Sequence, residues 1–238
     1  MARKKNKQKY VPASGKHRKR VSARSPNQKE VLRQISQNDI VFCAGPAGSG
    51  KTHLSVGAAI EYFLKDQVER IVVTRPIVQA GERIGFLPGT AEQKLDPYLY
   101  PVFDEFRHFM SYEEISTNKN SRHIEVVPLA LMRGRNFHNA FIIGDEMQNA
   151  TFEQMKMLIT RMGTNSKLII SGDLSQSDLD RRDQGAFQFC LEKLDGIEGV
   201  GISYLEKGDI VRNPIIPRIL DVLDDEVYGN SRYKRTPQ

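Results

Sequence analysis

Short runs of consecutive apolar residues alternate along the chain with longer stretches in which apolar residues recur at helical spacing. Four runs are apolar almost throughout, namely residues 39–44, 71–73, 141–143 and 168–170. Their length and β-branched content predict strands that are buried on both faces. Amphipathic helices are predicted for three stretches that carry apolar residues on one face, namely residues 28–35, 51–65 and 152–162. Strands that alternate with helices predict an α/β fold with a mostly parallel sheet sandwiched by helices.

The limits of this domain follow from turn signals and chain length. A turn pattern at residues 25–27 precedes the first helix, and Thr151 with Gln154 forms a capping-box pattern before the third. A chain of 238 residues is long enough for one α/β core and short for two, so we expect one domain at residues 25–226. We expect residues 227–238 to form a frayed C-terminal tail.

The positive charge of the chain is concentrated at its start. The formal net charge is +6, yet residues 1–24 contain ten Lys or Arg and no Asp or Glu, so the remainder is mildly acidic. A segment of this composition cannot bury enough apolar surface to offset its ordering entropy, and we expect a disordered basic arm. The arm would tether RNA or DNA through phosphate contacts, or it would only keep the chain in solution. The charge pattern alone leaves both functions open.

The sequence argues against a membrane, secreted or zinc-binding protein. No apolar run approaches the roughly 18 residues that span a bilayer, and the basic N-terminus lacks the apolar stretch of a secretion signal. Cys43 and Cys190 lie in apolar patterns and are expected to be reduced core residues. The histidines show no ligand-like spacing, so we expect no protein-bound zinc.

The most informative motif is G-x-x-x-x-G-K-T, which lies between the first predicted strand and the second predicted helix. Glycines let such a loop wrap phosphates, and amides of the loop and of the helix N-terminus attract the anion. Lys51 is expected to reach the outer phosphates, and Thr52 to hold Mg²⁺. The predicted nucleotide-binding set is the loop and the residue after it: Gly45, Pro46, Ala47, Gly48, Ser49, Gly50, Lys51, Thr52 and His53. For His53, which follows Thr52 inside the helix, the sequence favours ordinary helix surface over contact with the nucleotide.

Two acidic residues at the end of the predicted strand 141–143 complete a nucleoside triphosphate site. Asp145 is placed to contact Mg²⁺ through water, and Glu146 to orient and deprotonate the attacking water. Adjacent acids at a strand end can also form a solvated loop, but the phosphate loop upstream favours the catalytic interpretation.

A third polar loop follows the predicted strand 168–170. Ligands of open α/β sheets bind beyond the carboxyl ends of the strands. We therefore expect Gln176, in this loop, to sense the γ-phosphate or the water that attacks it. The alternative is that Gly172 and Asp173 make only a turn there.

These motifs, in this order, resemble the PhoH family of phosphate-starvation-inducible P-loop ATPases, which are related to superfamily 1 helicases and occur in bacteria and bacteriophages. The resemblance spans about residues 26–223 and rests on GPAGSGKT, VTRP, AGE, GFLPG, MRGR, FIIGDEMQN, QMKM and SGDLSQ. It implies a RecA-like P-loop domain, ATP and Mg²⁺ as cofactors, and ATP hydrolysis, while the lack of membrane and secretion signals leads us to expect a cytoplasmic protein. Met147 stands where the family usually has Ala, and Asn213 where His often follows Arg. Without a PIN nuclease domain, the RNase activity of two-domain relatives is not carried over.

The resemblance also implies contacts with the nucleotide base and with nucleic acid. Related helicases place a glutamine that reads adenine where Gln28 stands, and a surface glutamine at a helix start is the alternative. Arg75 lies in a segment that resembles the helicase segment contacting the nucleic-acid backbone, and the Gly-rich loop after it carries Arg83. The expected partner is RNA or single-stranded DNA, and the sequence does not choose between them.

A helicase supplies its arginine finger from a second RecA-like domain, for which this chain has no room. The resemblance therefore implies that a neighbouring subunit donates the arginine, within a ring-like homo-oligomer whose expected size is a hexamer. Arg212 is the first candidate, and Arg133 or Arg135 the second, with structural ion pairs as the alternative for all three. The expected catalytic set is Lys51, Glu146, Gln176 and Arg212.

Two other functions use similar motifs. A nucleoside kinase of the thymidine-kinase type shares the phosphate loop and an acid pair at a strand end, but such kinases usually carry a four-cysteine zinc ribbon. The two cysteines of this chain cannot form one. A nucleic-acid-binding module could use ATP only as an assembly ligand, although Glu146 and Gln176 argue for hydrolysis.

Overall fold

A computed structural model of the chain describes residues 19–77, 100–177, 179, 185–210, 215 and 219. Five sequence predictions lie outside these residues, namely those for Arg83, for Arg212, for the end of the domain at residue 226, for residues 1–18 of the basic arm and for the tail at 227–238. The architecture of the described part is an α/β sandwich built on one sheet.

Strands and helices alternate along the described chain. The strands are β1 (Ile40–Ala44), β2 (Arg70–Arg75), β3 (Ile124–Pro128), β4 (Ala140–Gly144), β5 (Lys167–Gly172) and β6 (Val200–Tyr204). The helices that place the site are α1 (Pro26–Gln37), α2 (Lys51–Leu64), α3 (100–107), α4 (Tyr112–Asn120), α5 (Phe152–Ile159) and α6 (Ala186–Lys193). Short 3-10 turns occur at Leu129–Met132, Met147–Asn149 and Lys207–Asp209. Within the described residues, every helix is too short or too polar to cross a bilayer.

The six strands form a parallel sheet in the order β3-β2-β4-β5-β1-β6. The four predicted strands are confirmed and occupy its centre. Sequence patterns missed the two edge strands, because Glu125 and Pro128 interrupt β3, and Gly201 and Ser203 interrupt β6. Since all strands run in one direction, the loops after β1, β4 and β5 begin at the same edge of the sheet.

Successive strand residues point to opposite faces of the sheet and form two apolar cores. Val41 and Cys43 of β1 pack with α1, α2, α3 and α4 on one face, whereas Phe42 and Ala44 pack with α5 and α6 on the other. Helices cover both faces of the sheet, so both sets of alternating side chains in β1 are buried. This is why β1 is apolar throughout. The predicted sheet with helices on both faces is thereby confirmed.

The predicted start of α5 is confirmed by its cap, but its predicted end is not. Thr151 and Gln154 each accept a hydrogen bond from the other's backbone N–H group, at 3.3 Å and 3.0 Å. The helix ends at Ile159 rather than at Met162, because Met162 forms an isolated parallel bridge with Phe137 instead of continuing the helix.

The folded part begins earlier than predicted, so the disordered arm assigned to residues 1–24 is too long. Val21 packs against the core that contains α2, and its N–H donates to Glu61 Oε1 at 3.2 Å. A Cβ added at Gly57 of α2 would lie 2.6 Å from Val21 Cβ, so this glycine leaves the space that Val21 occupies. Disorder was predicted from the many charges of residues 1–24, and the one apolar side chain that docks, Val21, was not considered.

Candidate nucleotide-binding site

The loop between β1 and α2 leaves backbone amides available to an anion. Gly48 and Gly50 have φ angles of 81° and 92°, a conformation that glycine adopts without strain. Gly50 is the N-cap of α2, and no described side chain caps the first turn of this helix. The backbone N–H groups of that turn can therefore bind an anionic ligand. The loop starts from the sheet, where Gly45 N–H donates to Gly172 O at 3.1 Å.

Lys51, the first residue of α2, places its ammonium at this loop. Nζ donates to the carbonyl oxygens of Gly45 at 2.6 Å and of Pro46 at 2.9 Å. The residue is 7% exposed and lines the adjacent cavity. A largely buried cation next to free amides attracts phosphate strongly, as predicted for this lysine.

Thr52 and Asp145, the two predicted magnesium residues, lie in direct contact. Thr52 Oγ1 donates to Asp145 Oδ1 at 3.1 Å, and Ser171 Oγ of β5 donates to the same oxygen at 2.8 Å. Mg²⁺ commonly takes one or two carboxylates and completes its shell with water and substrate phosphates, which this pair fits. Within the described chain, no group of three or more His, Cys, Asp or Glu side chains could hold a metal alone.

Glu146, the predicted base, follows Asp145 in a left-handed backbone conformation with a φ of 55°. This conformation is uncommon outside glycine and often marks a functional position. Gln148 Nε2 donates to Glu146 Oε2 at 2.7 Å, and the side chain is 38% exposed. Glu146 lines the same cavity as Lys51. A carboxylate that is held in place and still accessible is compatible with the predicted role of general base, which stays a prediction.

Arg75 lies beside the two acids rather than at an open surface. Nη2 donates to Asp145 Oδ2 at 3.0 Å and to Glu146 Oε1 at 3.4 Å. The side chain is 19% exposed, and its buried Nε has no hydrogen-bond partner among the described residues. The guanidinium thus compensates the charge of the acid pair, which differs from the predicted contact with a nucleic-acid backbone.

Hydrogen bonds connect Glu146 with the phosphate loop through two residues that the sequence did not assign to this role. Gln148, which bonds to Glu146, accepts at Oε1 from Asp173 N–H at 3.0 Å. Asp173 Oδ2 accepts in turn from Ala47 N–H at 3.0 Å. Asp173 directly follows β5, and Gln148 lies four residues after the end of β4; both are buried, at 4% and 7% exposure. Their position as polar residues at strand ends was the available signal, but only the sheet order brings those ends together.

Gln176 lies at the same edge of the sheet but not on the large cavity. Its N–H donates to Asp173 O at 3.3 Å, and the exposed residue lines a smaller cavity of about 210 Å³ with Gln148. The structure therefore brings Gln176 close to Gln148 and Asp173, and does not bring it to the lining that Lys51 and Glu146 share. Its role as a γ-phosphate sensor stays a prediction.

Gln28 is buried, and protein atoms occupy both ends of its amide. Nε2 donates to Ser49 O in the phosphate loop at 3.0 Å, and Oε1 accepts from Arg24 N–H at 2.8 Å. The residue is 4% exposed and lines the large cavity, so the alternative of a surface glutamine is wrong. Its amide joins the segment before α1 to the phosphate loop.

His53 lines the same cavity from α2. Its Nδ1 lies 3.0 Å from Glu105 Oε2, and its ring centroid lies 4.8 Å from that of Phe109. The cavity has a volume of about 820 Å³ and extends from Glu146 past the phosphate loop to this histidine. His53 is thus a partly exposed residue of α2 at the cavity, and its contact with the nucleotide stays a prediction.

The two arginines of the motif at residues 133–135 have different surroundings. Arg135 Nη2 donates to Glu125 Oε2 at 2.6 Å, and the guanidinium lies 4.7 Å from the Phe137 ring centroid. Arg133 is exposed, and the next residue, Gly134, has a φ of 78°. The structural ion pair that was the alternative for these arginines therefore occurs at Arg135.

A parallel sheet in this order, with a phosphate-binding loop after β1 and an acid pair after β4, defines a P-loop NTPase with a RecA-like α/β fold. Within that class, the chain belongs to the PhoH family: the family model described as PhoH-like protein matches residues 20–224. The resemblance seen in the sequence motifs is confirmed.

Relatives from two bacteria show the extent of the similarity. A PhoH-like protein of Synechocystis sp. is 42% identical over 217 residues, which cover 91% of this chain and 66% of that protein. A PhoH-like protein of Bacillus subtilis is 39% identical over 208 residues, with 87% and 65% covered. The chain therefore spans just under two thirds of the length of either relative.

Among solved structures, a Pif1 helicase from Candida albicans is similar, with a TM-score of 0.45 and 18% identity, over 86% of this chain and 44% of that chain. The assignment of the fold rests instead on the sheet order and the phosphate loop of this chain.

Proposed function

We propose that this chain binds MgATP at the loop Gly45 to Thr52, hydrolyses ATP, and acts on RNA or single-stranded DNA. The observation that supports hydrolysis best is that Lys51, Thr52 and Glu146 line one cavity, while Asp145 contacts Thr52. A phosphate cradle, a magnesium pair and an accessible carboxylate are the parts that phosphoryl transfer to water requires.

Each residue has its own task in the proposed reaction. The amides of the first turn of α2 and the ammonium of Lys51 bind the β- and γ-phosphates and stabilise the charge of the transition state. Glu146 accepts the proton of a water that forms a bond to the γ-phosphorus, in line with the bond to ADP that breaks. Mg²⁺, held by Thr52 and through water by Asp145, would supply charge neutralisation at the phosphate oxygens.

The proposed nucleic-acid partner is supported by the charge of the N-terminal segment. Residues 1–24 carry ten Lys or Arg and no acid, and each phosphate that they neutralise releases counterions. Because Arg75 is paired with Asp145, we place the phosphate contacts in this segment instead. If about eight phosphates are neutralised, the affinity for a single strand should fall with a log-log salt slope of about −5 or −6.

Steady-state hydrolysis by the full chain, with and without single-stranded RNA or DNA, tests this function. The Glu146→Gln variant should keep its affinity for ATP and lose hydrolysis by about 10² to 10⁴. Stronger stimulation by one of the two polymers would identify the partner. A phosphorylated nucleoside among the products would indicate a kinase, and undetectable hydrolysis with RNA present would indicate a binding module.

We further propose a ring-like homo-oligomer, with a hexamer as the expected size, in which a neighbouring subunit donates an arginine to the site. The support is that Arg135 is engaged by Glu125, whereas Arg133 is exposed on a glycine-containing turn. Arg133 and Arg212 are the proposed donors. Light scattering on the samples used for hydrolysis measures the assembly.

A further inference from the structure

We infer that residues 19–24, named the strap here, form one wall of the nucleotide cavity and contact the nucleoside part of bound ATP. The inference rests on the proposed binding of ATP at the phosphate loop. It concerns residues whose charge pattern predicted only a disordered tether or a solubilising arm. In the structure these residues lie along α2 and border the cavity.

The strap is attached to the domain at both ends. Val21 packs into the space that Gly57 of α2 leaves, where an added Cβ would also lie 2.8 Å from Phe109 Cζ. At the other end, Arg24 N–H donates to Gln28 Oε1, and Gln28 Nε2 donates to Ser49 O. One buried amide thus connects the strap directly with the phosphate loop.

The polar side chains of the strap are directed to the cavity. Val21 and Ala23 are partly buried, whereas Arg20, Ser22 and Arg24, which alternate with them, are exposed. The strap residues that line the cavity are Lys19, Arg20, Ser22 and Arg24. The three cations therefore lie where a ligand of the cavity can contact them.

The position of the strap points to the nucleoside rather than to the triphosphate. The phosphates are assigned to the loop amides, Lys51 and Thr52. The strap lines the remaining part of the cavity together with His53 and with Glu105, His108 and Phe109. Guanidinium groups stack on the faces of nucleotide bases and donate hydrogen bonds to their edges. Arg20 and Arg24, which line the cavity, can provide both contacts.

Binding measurements on the full chain without nucleic acid test this inference. In the Arg20→Ser, Arg24→Ser double variant, the affinity for MgATP should fall by about tenfold or more, which is the order expected for two cationic contacts. The affinity for inorganic tripolyphosphate should stay unchanged. Lys29→Ser, which removes an exposed cation of α1 outside the cavity lining, is the matched control. All three substituted residues are exposed, so the fold should be retained.

Each outcome decides between specific alternatives. Unchanged MgATP affinity in the double variant would overturn the inference. If the double variant lost as much affinity for tripolyphosphate as for MgATP, the cations would bind phosphate rather than the nucleoside, and the inference would also fail. If wild type bound neither ligand, the proposed nucleotide site itself would fail.

Removal of residues 1–18 should leave MgATP affinity intact, whereas removal of residues 1–24 should lower it at least as far as the double variant does. Equal affinities of the two truncated chains would also overturn the inference.

Discussion

Asp173, in the loop after β5, accepts a hydrogen bond from the backbone N–H of Ala47 in the phosphate loop at 3.0 Å. Its second oxygen accepts from Ser175 N–H at 2.9 Å and from Ser175 Oγ at 2.6 Å. The N–H of Asp173 donates to Gln148, which also bonds to Glu146. Asp173 therefore couples the phosphate loop, through its carboxylate, to the residue that holds the proposed base, through its backbone N–H.

Gln148 is the residue through which this coupling should be testable. In Gln148→Ala, Glu146 loses its 2.7 Å donor, and the loop after β5 loses an acceptor for Asp173 N–H. A misplaced base lowers the rate of the chemical step more than it lowers binding, so kcat should fall on the order of 10²-fold while KM for ATP changes little. Steady-state kinetics on wild type and variant measure both parameters.

The matched control for Gln148→Ala is Gln37→Ala, which removes an exposed glutamine at the end of α1. Its kcat should equal that of wild type. An unchanged kcat in Gln148→Ala, or a rise in KM that accounts for the whole loss, would contradict the positioning role.

The ion pair between Arg75 and Asp145 should contribute to stability. The Asp145 side chain is 1% exposed, and the loss of one partner from a buried pair typically costs 3 to 5 kcal/mol, since the other charge is left uncompensated. Because Thr52 and Ser171 still donate to Asp145, we expect a decrease of about 3 kcal/mol in the free energy of unfolding for Arg75→Ala. Urea unfolding without magnesium measures it.

An exposed ion pair provides the control for Arg75→Ala. Arg33 pairs with Glu30 on α1, with side chains 50% and 43% exposed, and Arg33→Ala should cost less than about 1 kcal/mol. Arg75→Lys, which keeps the charge, should recover part of the loss. If Arg75→Ala lowered the free energy of unfolding no more than Arg33→Ala does, the ion pair between Arg75 and Asp145 would not contribute to stability.

The parts of this molecule that are encoded locally could be predicted from sequence. The central strands are continuous apolar runs, and the phosphate loop is one contiguous motif whose neighbours along the chain are a strand and a helix. Asp145 and Glu146 were found because they directly follow such a run. In each case the signal lies within a few residues of the feature, so that pattern and propensity suffice.

The features that could not be predicted depend on contacts between distant segments. Arg75 and Asp145 are 70 positions apart, and Ala47 and Asp173 are 126 apart. Only the order of the strands in the sheet places these pairs together. The docking of Val21 is a further case, because the space that it fills lies in another element and is visible only after folding.

Cys43 should make the fold less stable at high pH. Burial raises the pKa of this thiol to about 12, above the value of about 8.5 for an unfolded thiol. The folded state therefore keeps a proton that the unfolded state loses. The stability that this group contributes is complete below about pH 8.5 and is lost as the pH rises toward 12.

The comparison that isolates this effect is wild type against Cys43→Ala, both under reducing conditions. Between about pH 8 and pH 10, the free energy of unfolding of wild type should decrease by about 2 kcal/mol more than that of the variant. Urea unfolding at several pH values gives both curves. Parallel curves would mean that the Cys43 thiol titrates alike in the folded and unfolded states.

Arg133 and Arg135 should respond differently to truncation, because only Arg135 has a described partner that holds its guanidinium. If a neighbouring subunit receives Arg133, Arg133→Ala should lower turnover by about 10³ to 10⁵, while ATP binding and assembly size stay as in wild type. Arg135→Ala should instead lower the free energy of unfolding by about 1 kcal/mol, since Glu125 loses its 2.6 Å donor. Hydrolysis, light scattering and urea unfolding on the same three proteins measure these effects.

Mixed assemblies extend this test from the residue to the subunit interface. An arginine donated across an interface can be supplied by a neighbour, so subunits of Arg133→Ala mixed with subunits of Glu146→Gln should regain turnover that neither variant has alone. The regained rate should depend on the mixing ratio, because only an interface with an intact Glu146 on one side and an intact Arg133 on the other is active. Normal turnover of assembled Arg133→Ala would exclude this arginine and leave Arg212 as the donor. Loss of turnover without recovery in mixtures would mean that Arg133 acts within its own subunit, and the ring would then not be needed for catalysis.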